Sequence, residues 1–206
     1  GKIVICTSTN PQDDPLEEIA MQEGVNCFRG SEDDVLDRFL KAAIEYDLEH
    51  FANITADCPM IDPALIDRAV EEYDKTDADF TLFNNSNSDL PFQCYVIKVA
   101  ALKNVCEQKN ETDTECWDSY FTSSDVFKIH QIHVEKNLRH PTLKTSLDYP
   151  EDYEFMKEVF HHLYIRGKVF SMLDIIDLVK QNPDMLAINA NSVLVKRWRD
   201  HQQAVA

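Results

Sequence analysis

The chain has 206 residues, 44% of them hydrophobic, and a formal net charge of -17 at pH 7. That is enough apolar material for one core in a single domain spanning 1–206. So much negative charge excludes a long polyanion such as DNA or RNA as partner, because no basic stripe exists to release counterions. The lack of a membrane-length apolar run, and six cysteines without a CxxC pair, predict a cytoplasmic protein with reduced thiols and no membrane association.

In chain order, the apolar run Ile3, Val4, Ile5 and Cys6 predicts a strand buried on both faces. Natural chains rarely start inside such a strand. PLEEIAMQEG reads as a short helix stopped by Gly24, and VNCFRG as a strand. The clearest helix lies in SEDDVLDRFLKAAIEYDLEH, where Val35, Leu36, Phe39, Leu40, Ala43, Ile44 and Leu48 form one apolar stripe. Ser31 is its expected cap, with Asp33 and Asp34 in the first turn. A strand in HFANITA, a loop, a helix entered through Asp62 and Pro63, and a strand in ADFTLFNN follow. This alternation predicts an α/β protein with a mostly parallel sheet.

The middle is less regular. FQCYVIKVAALKNVCEQK reads as a strand running into a helix, and DVFKIHQIHVEK as an alternating strand suited to a sheet edge. SLDYPEDYEFMKEVF is a strand end feeding a helix, and SMLDIIDLVKQNP is a further helix stopped near Pro183.

Asp57 and Asp148 each stand at the end of an apolar strand, shortly before a proline. Ligands of open α/β sheets bind beyond the carboxyl ends of strands. A carboxylate there needs a proton, a cation or a helix N-terminus, and Mg²⁺ takes one or two carboxylates plus substrate phosphates. Each also has a plainer reading. Asp57 suits a turn, and Asp148 with Glu151 and Pro150 suits a capping box. Asp62 reads as an N-cap and nothing more. At the strand-to-helix junction of Arg29, Gly30 and Ser31, free backbone N–H groups suit an anion or a base edge; alternatively, Arg29 and Arg38 pair with nearby acids. His130 and His133 fall on opposite strand faces, which argues against a zinc site.

The blocks FRGSEDDVLDRFLKAA, NITADCPMIDPALID, SLDYPEDYEFMKEVF and DIIDLVKQNPDMLAIN, in this order, resemble the cytidylyltransferase family of spore-coat polysaccharide synthesis, related to the CMP-sialic acid and CMP-Kdo synthetases. The resemblance implies a Rossmann-like, GT-A-like nucleotide-diphospho-sugar transferase fold, a three-layer α/β sandwich. It implies a nucleotidyltransferase that moves CMP from CTP to an acidic or phosphorylated sugar for surface-polysaccharide synthesis and releases pyrophosphate. It also implies Mg²⁺ held by Asp57 and Asp148 as the catalytic pair. Arg29, Gly30, Ser31, Thr55, Ala56 and Asp57 would bind nucleotide, a region of about 84–140 would serve the acceptor and a dimer contact, and the protein would be a homodimer.

Departures from the family pattern are visible. Its first strand and A-R-x-x-S-x-R-L-P-x-K loop have no match, so an N-terminal strand–loop–helix unit of roughly 30 residues is expected to be missing. Asn53 replaces a basic residue, and LPFQCYVIKVAAL with TECWDSYFT replaces the acidic and EHVTPY-like blocks. The alternatives are a binding or scaffold protein on the same fold, or a nucleotidyltransferase with another base or acceptor.

Overall fold

The computed structural model describes residues 1–85, 89–123 and 125–190. Strands and helices alternate from the start: β1 (Val4–Ser8), α1 (Asp14–Glu23), β2 (Asn26–Gly30), α2 (Val35–Glu45), β3 (His50–Asn53), α3 (Pro63–Asp74) and β4 (Phe80–Phe83). β5 (Tyr95–Lys98) runs into α4 (Val99–Gln108), followed by the short α5 (Ser119–Thr122), β6 (Ile129–Ile132), α6 (Pro150–Leu163) and α7 (Met172–Gln181).

The residues fall into two compact units. Of the described residues, the first holds those of Gly1–Phe51, Thr76–Phe80 and Val96–His130; the second holds those of Ala52–Lys75, Thr81–Tyr95 and 131–190.

In the first unit β1 and β2 form a two-stranded parallel sheet, in register from Val4 with Asn26 to Ser8 with Gly30. β1 is not buried on both faces, as its apolar run predicted. Val4, Ile5 and Cys6 are half-buried, and Thr7 and Ser8 are the buried residues. The reason is local: a strand paired on one edge covers its apolar end only partly, while the Thr7 and Ser8 hydroxyls donate to Asp13 Oδ2 at 3.0 and 2.6 Å and are satisfied in burial.

Helix α1 ends as expected at Gly24, whose φ of 68° is left-handed. α2 starts one residue after Asp34, the actual N-cap, which accepts from the Asp37 N–H. Ser31 instead accepts from the Asp34 N–H at 3.0 Å. The α2 stripe buries Leu36, Phe39, Ala42 and Ala43 but leaves Ile44 exposed, so it is rotated from the predicted face. It packs on α4. Phe80, Trp117 and Phe121 complete this core: Phe80 stacks on Phe121 at 4.7 Å, and Trp117 meets Phe39 edge-on at 5.6 Å. Trp117 and Phe121 of the irregular middle are thus core.

The second sheet has the order β3-β5-β4-β6. Hydrogen bonds from Phe80 N to Lys128 O and from Asn84 N to Ile132 O advance together, so β4 and β6 are parallel. Lys98 N and Val99 N, at the end of β5, reach Asp79 O and Glu49 O at the starts of β4 and β3, so β5 runs against both. β6 lies at an edge, as its alternation predicted. In the second unit α6 packs on α7, burying Phe155, Met156, Val159, Ile175, Ile176 and Val179.

Candidate functional site

The loop after β3 carries the first candidate carboxylate. Turn bonds from Cys58 N to Thr55 O and from Ile61 N to Cys58 O fold residues 55–61 back toward α3. Thr55 and Ala56 are exposed at the rim, while Asp57 is half-buried. Its Oδ1 is sealed from solvent and has no hydrogen-bond partner among the described residues. A simple turn aspartate would spend that oxygen on a neighbouring N–H. Left unmade, a buried acceptor costs roughly 1–3 kcal/mol, more when charged.

Asp62, five residues on, behaves differently. Its Oδ1 accepts from the Ala64 N–H at 2.9 Å and caps α3, while its Oδ2 accepts from the Met172 N–H at 3.0 Å and satisfies the first turn of α7. It therefore joins two helix starts, more than the single N-cap read from sequence.

The segment before α6 supplies the second carboxylate. The Leu147 N–H donates to Asp57 O at 2.7 Å, so the two aspartate-bearing segments are joined by backbone. The expected capping box of Asp148 and Glu151 does not form. Asp152 does that work: its Oδ2 accepts from the Asp148 and Tyr149 N–H groups at 3.1 and 3.0 Å. This leaves the Asp148 side chain, 33% exposed, free of capping. Its Oδ2 accepts from Lys144 Nζ at 2.7 Å and from Ser146 Oγ at 2.8 Å. Burial pushes the Asp148 pKa up, but the hydrogen bonds from Lys144 and Ser146 and the lysine charge outweigh it and hold the carboxyl below its ordinary range.

Lys144 is the residue that sequence reasoning missed. Buried at the base of this segment, it pairs with Asp148 and with the fully buried Asp152 and donates to Ser146 O at 3.0 Å. Asn189 Nδ2 completes Asp152 at 3.0 Å. The only trace in the sequence is a lysine four residues before Asp148. Cys58 reports on the same neighbourhood: burial first, then the charges of Asp57 and Asp148 among the smaller causes, push its thiol up to about 11.

Arg29, Gly30 and Ser31 belong to the first unit. Arg29 pairs with Asp14 at 2.7 Å and Glu17 at 3.1 Å and donates to the Ser8 and Asn10 carbonyls, bracing the end of β1. Gly30 is a close-approach glycine: a Cβ there would sit 2.9 Å from Arg38 Cγ and Phe28 Cε1.

Among the described residues no group of three or more His, Cys, Asp or Glu side chains is placed to hold a metal ion. Two carboxylates, one with an unpartnered buried oxygen, fit a hard cation whose remaining ligands are substrate phosphates and water.

A family model described as cytidylyltransferase matches residues 1–187. An uncharacterized protein of Methanocaldococcus jannaschii is 27% identical over 203 residues, 98% of this chain and 82% of that protein. The spore coat polysaccharide biosynthesis protein SpsF of Bacillus subtilis is 28% identical over 192 residues, covering 88% and 76%. A solved cytidylyltransferase of Leptospira borgpetersenii superposes with a TM-score of 0.79 at 25% identity, over 89% of this chain and 77% of that one. CMP:2-keto-3-deoxy-manno-octonic acid synthetase, solved with CTP, shares the fold at a TM-score of 0.55 and 9% identity, over 80% and 82%.

Proposed function

The chain belongs to the cytidylyltransferase family and is a nucleotidyltransferase that uses CTP, and on that premise we propose that it transfers CMP to a sugar for surface-polysaccharide synthesis and releases pyrophosphate. The polysaccharide assignment rests on the likeness to the spore coat protein SpsF. The observation that carries the site is the buried, unpartnered Oδ1 of Asp57, joined through Leu147 to Asp148.

In this reading Asp57 and Asp148 hold Mg²⁺, which when bound neutralises triphosphate charge and the leaving pyrophosphate. Lys144 is a positioning residue. By pairing with Asp148 from below it fixes that carboxylate and keeps it ionised at neutral pH. Ser146 adds a second anchor to the same oxygen. The protein does little covalent work; it aligns an acceptor oxygen with the α-phosphorus and offsets charge. Thr55 and Ala56, exposed beside Asp57, are the proposed nucleotide contacts of the second unit. Arg29, Gly30 and Ser31 are a separate proposal within the first. A cytoplasmic homodimer completes the reading. No helix among the described residues is long and apolar enough to cross a membrane.

The test is pyrophosphate release from CTP with Mg²⁺ and acceptor. Asp57→Asn is expected to lower turnover by at least about 100-fold, the scale of losing one preorganised electrostatic group. Its thermal midpoint should not fall, since no protein hydrogen bond to Oδ1 is lost and a buried unpaired charge is removed. Wild-type turnover in Asp57→Asn would end the assignment.

A further inference from the structure

Asn189 follows a short 3-10 turn, Pro183–Ala187, that packs against α6 and α7. It is 1% exposed, and its side chain reaches back to the segment before α6. Nδ2 donates to Asp152 Oδ1 at 3.0 Å and, at 3.4 Å, to the Lys144 carbonyl. Both N–H groups of the amide thus face acceptors, which fixes its orientation: turned over, it would set an oxygen against two oxygens. Its own Oδ1 is sealed from solvent and has no hydrogen-bond partner among the described residues. A buried acceptor left unpaired is destabilising. An apolar side chain would fill this space without leaving an orphan, so what distinguishes asparagine here is its pair of donors.

Those donors hold a fully buried carboxylate. Asp152 Oδ2 accepts from Lys144 Nζ and from the Asp148 and Tyr149 N–H groups at 3.1 and 3.0 Å. Its Oδ1 accepts from Asn189. Without Asn189 that oxygen would be buried and unanswered, and the carboxylate would turn about its Cβ–Cγ bond toward a share of the donors on Oδ2. Two of those donors bear directly on Asp148. One is the Asp148 backbone N–H. The other is Lys144, whose three ammonium protons all have partners: Asp152 Oδ2, Asp148 Oδ2 at 2.7 Å and Ser146 O at 3.0 Å. A lysine with three fixed partners has no spare proton with which to follow one of them. A turn of the Asp152 carboxylate therefore disturbs both the backbone anchor and the side-chain anchor of Asp148.

We infer that Asn189 is a positioning residue of the transfer reaction: it holds the Asp152 carboxylate in one rotation and, through Asp152 and Lys144, fixes Asp148 for the metal. This rests on the cytidylyltransferase reading and adds to it a residue to which the resemblance assigns no role. Asn189 touches no reacting atom. Its bond to Asp152 spans 37 residues of sequence, so it ties the segment after α7 to the metal-binding segment before α6.

The experiment uses the full chain and the Mn²⁺·CTP complex as probe. Its affinity is read from water proton relaxation enhancement, which needs no turnover. Asn189→Ala removes both donors and Asn189→Ser keeps one. Ile176→Val, at an apolar core position of α7, controls for lost stability alone. Asn189→Ala is expected to weaken Mn²⁺·CTP about 10-fold, the equivalent of one hydrogen bond. Asn189→Ser should weaken it less, and Ile176→Val should bind as wild type does. If Asn189→Ala does not fold, the serine variant carries the same comparison with Ile176→Val. Wild-type affinity in the folded Asn189 variants, or an equal loss in Ile176→Val, overturns the inference and leaves Asn189 a structural residue. Asp148→Asn tests the reading beneath: if it too binds Mn²⁺·CTP as wild type does, the metal site itself is misplaced and the inference falls with it.

Discussion

Each unit holds a buried lysine against a helix-start aspartate, and the two clusters differ in what surrounds that pair. In the first unit Lys109 pairs with Asp34, the N-cap of α2, and donates to Glu111 O at 2.9 Å. Asp34 also accepts from the Asp37 N–H at 3.1 Å and Thr114 Oγ1 at 3.2 Å, and Thr114 accepts from the Leu36 N–H. Every group is answered within the cluster. In the second unit Lys144 does the same for Asp152, the residue that caps α6. There, however, a second carboxylate, Asp148, shares the lysine, and its neighbour Asp57 has an oxygen with no partner among the described residues. A buried ion pair alone is weak evidence of function. Unanswered valence beside one is stronger evidence.

Removing each lysine separates the two roles, and this is the largest effect expected. Lys109→Met leaves Asp34 buried without its cation, and Lys144→Met does the same to Asp152. Each should lose about 3–5 kcal/mol of stability in urea unfolding. Turnover per folded molecule should fall only in Lys144→Met, where Asp148 loses its anchor. Equal turnover in the two variants would remove Lys144 from the site and leave it a structural partner of Asp152.

Asp62 gives an intermediate effect, because its two oxygens serve two helices. Asp62→Ala removes the bonds to the Ala64 and Met172 N–H groups and should cost about 2 kcal/mol at roughly 1 kcal/mol per cap. Asp62→Asn keeps one acceptor and turns an amide toward the other N–H, so it should lose about half as much. If Asn costs nothing while Ala costs about 1 kcal/mol, the bond between Asp62 and α7 contributes nothing.

These residues also mark what the sequence could show. Asp62 before Pro63 was legible as a cap because capping is a short-range rule. Its bond to Met172, 110 residues away, was not. The α2 helix was legible from its apolar spacing, but its facing was set by packing on α4, which turned Ile44 outward. β1 misled because four apolar residues in a row read as double burial, whereas a strand with one paired edge stays half-covered. Asp57 and Asp148 stood out at strand ends. Lys144 did not, because it lies outside helices and strands, in a segment with no periodicity to reveal which side chains turn inward. In an α/β protein the strand-end half of a site follows from local rules, and the half that comes from irregular segments follows only from the packed chain.

The smallest effect concerns an exposed counterpart of the two lysine clusters, a helix start held by a carboxylate with no lysine. At α7, Ser171 N–H and Oγ–H both donate to Asp174 Oδ2 at 2.7 Å, and Asp174 N–H returns a bond to Ser171 Oγ at 3.2 Å. The Ser171 N–H first, then its hydroxyl, hold the Asp174 carboxyl below its ordinary range against a small opposing effect of burial. A carboxylate with a depressed folded pKa stabilises fully above its unfolded value of about 3.9, and the contribution fades as pH falls through the lower folded value. Ser171→Ala should therefore cost about 1 kcal/mol at pH 7, and its gap from wild type should narrow as pH is lowered from 5 toward 3. The same titration of Lys144→Met should narrow too, since Asp148 also owes its depressed pKa to that lysine. A gap in Ser171→Ala that stays constant across that range would show that the serine hydroxyl caps the helix without holding the charge, and that a lysine is needed to hold a carboxylate at a helix start in this protein.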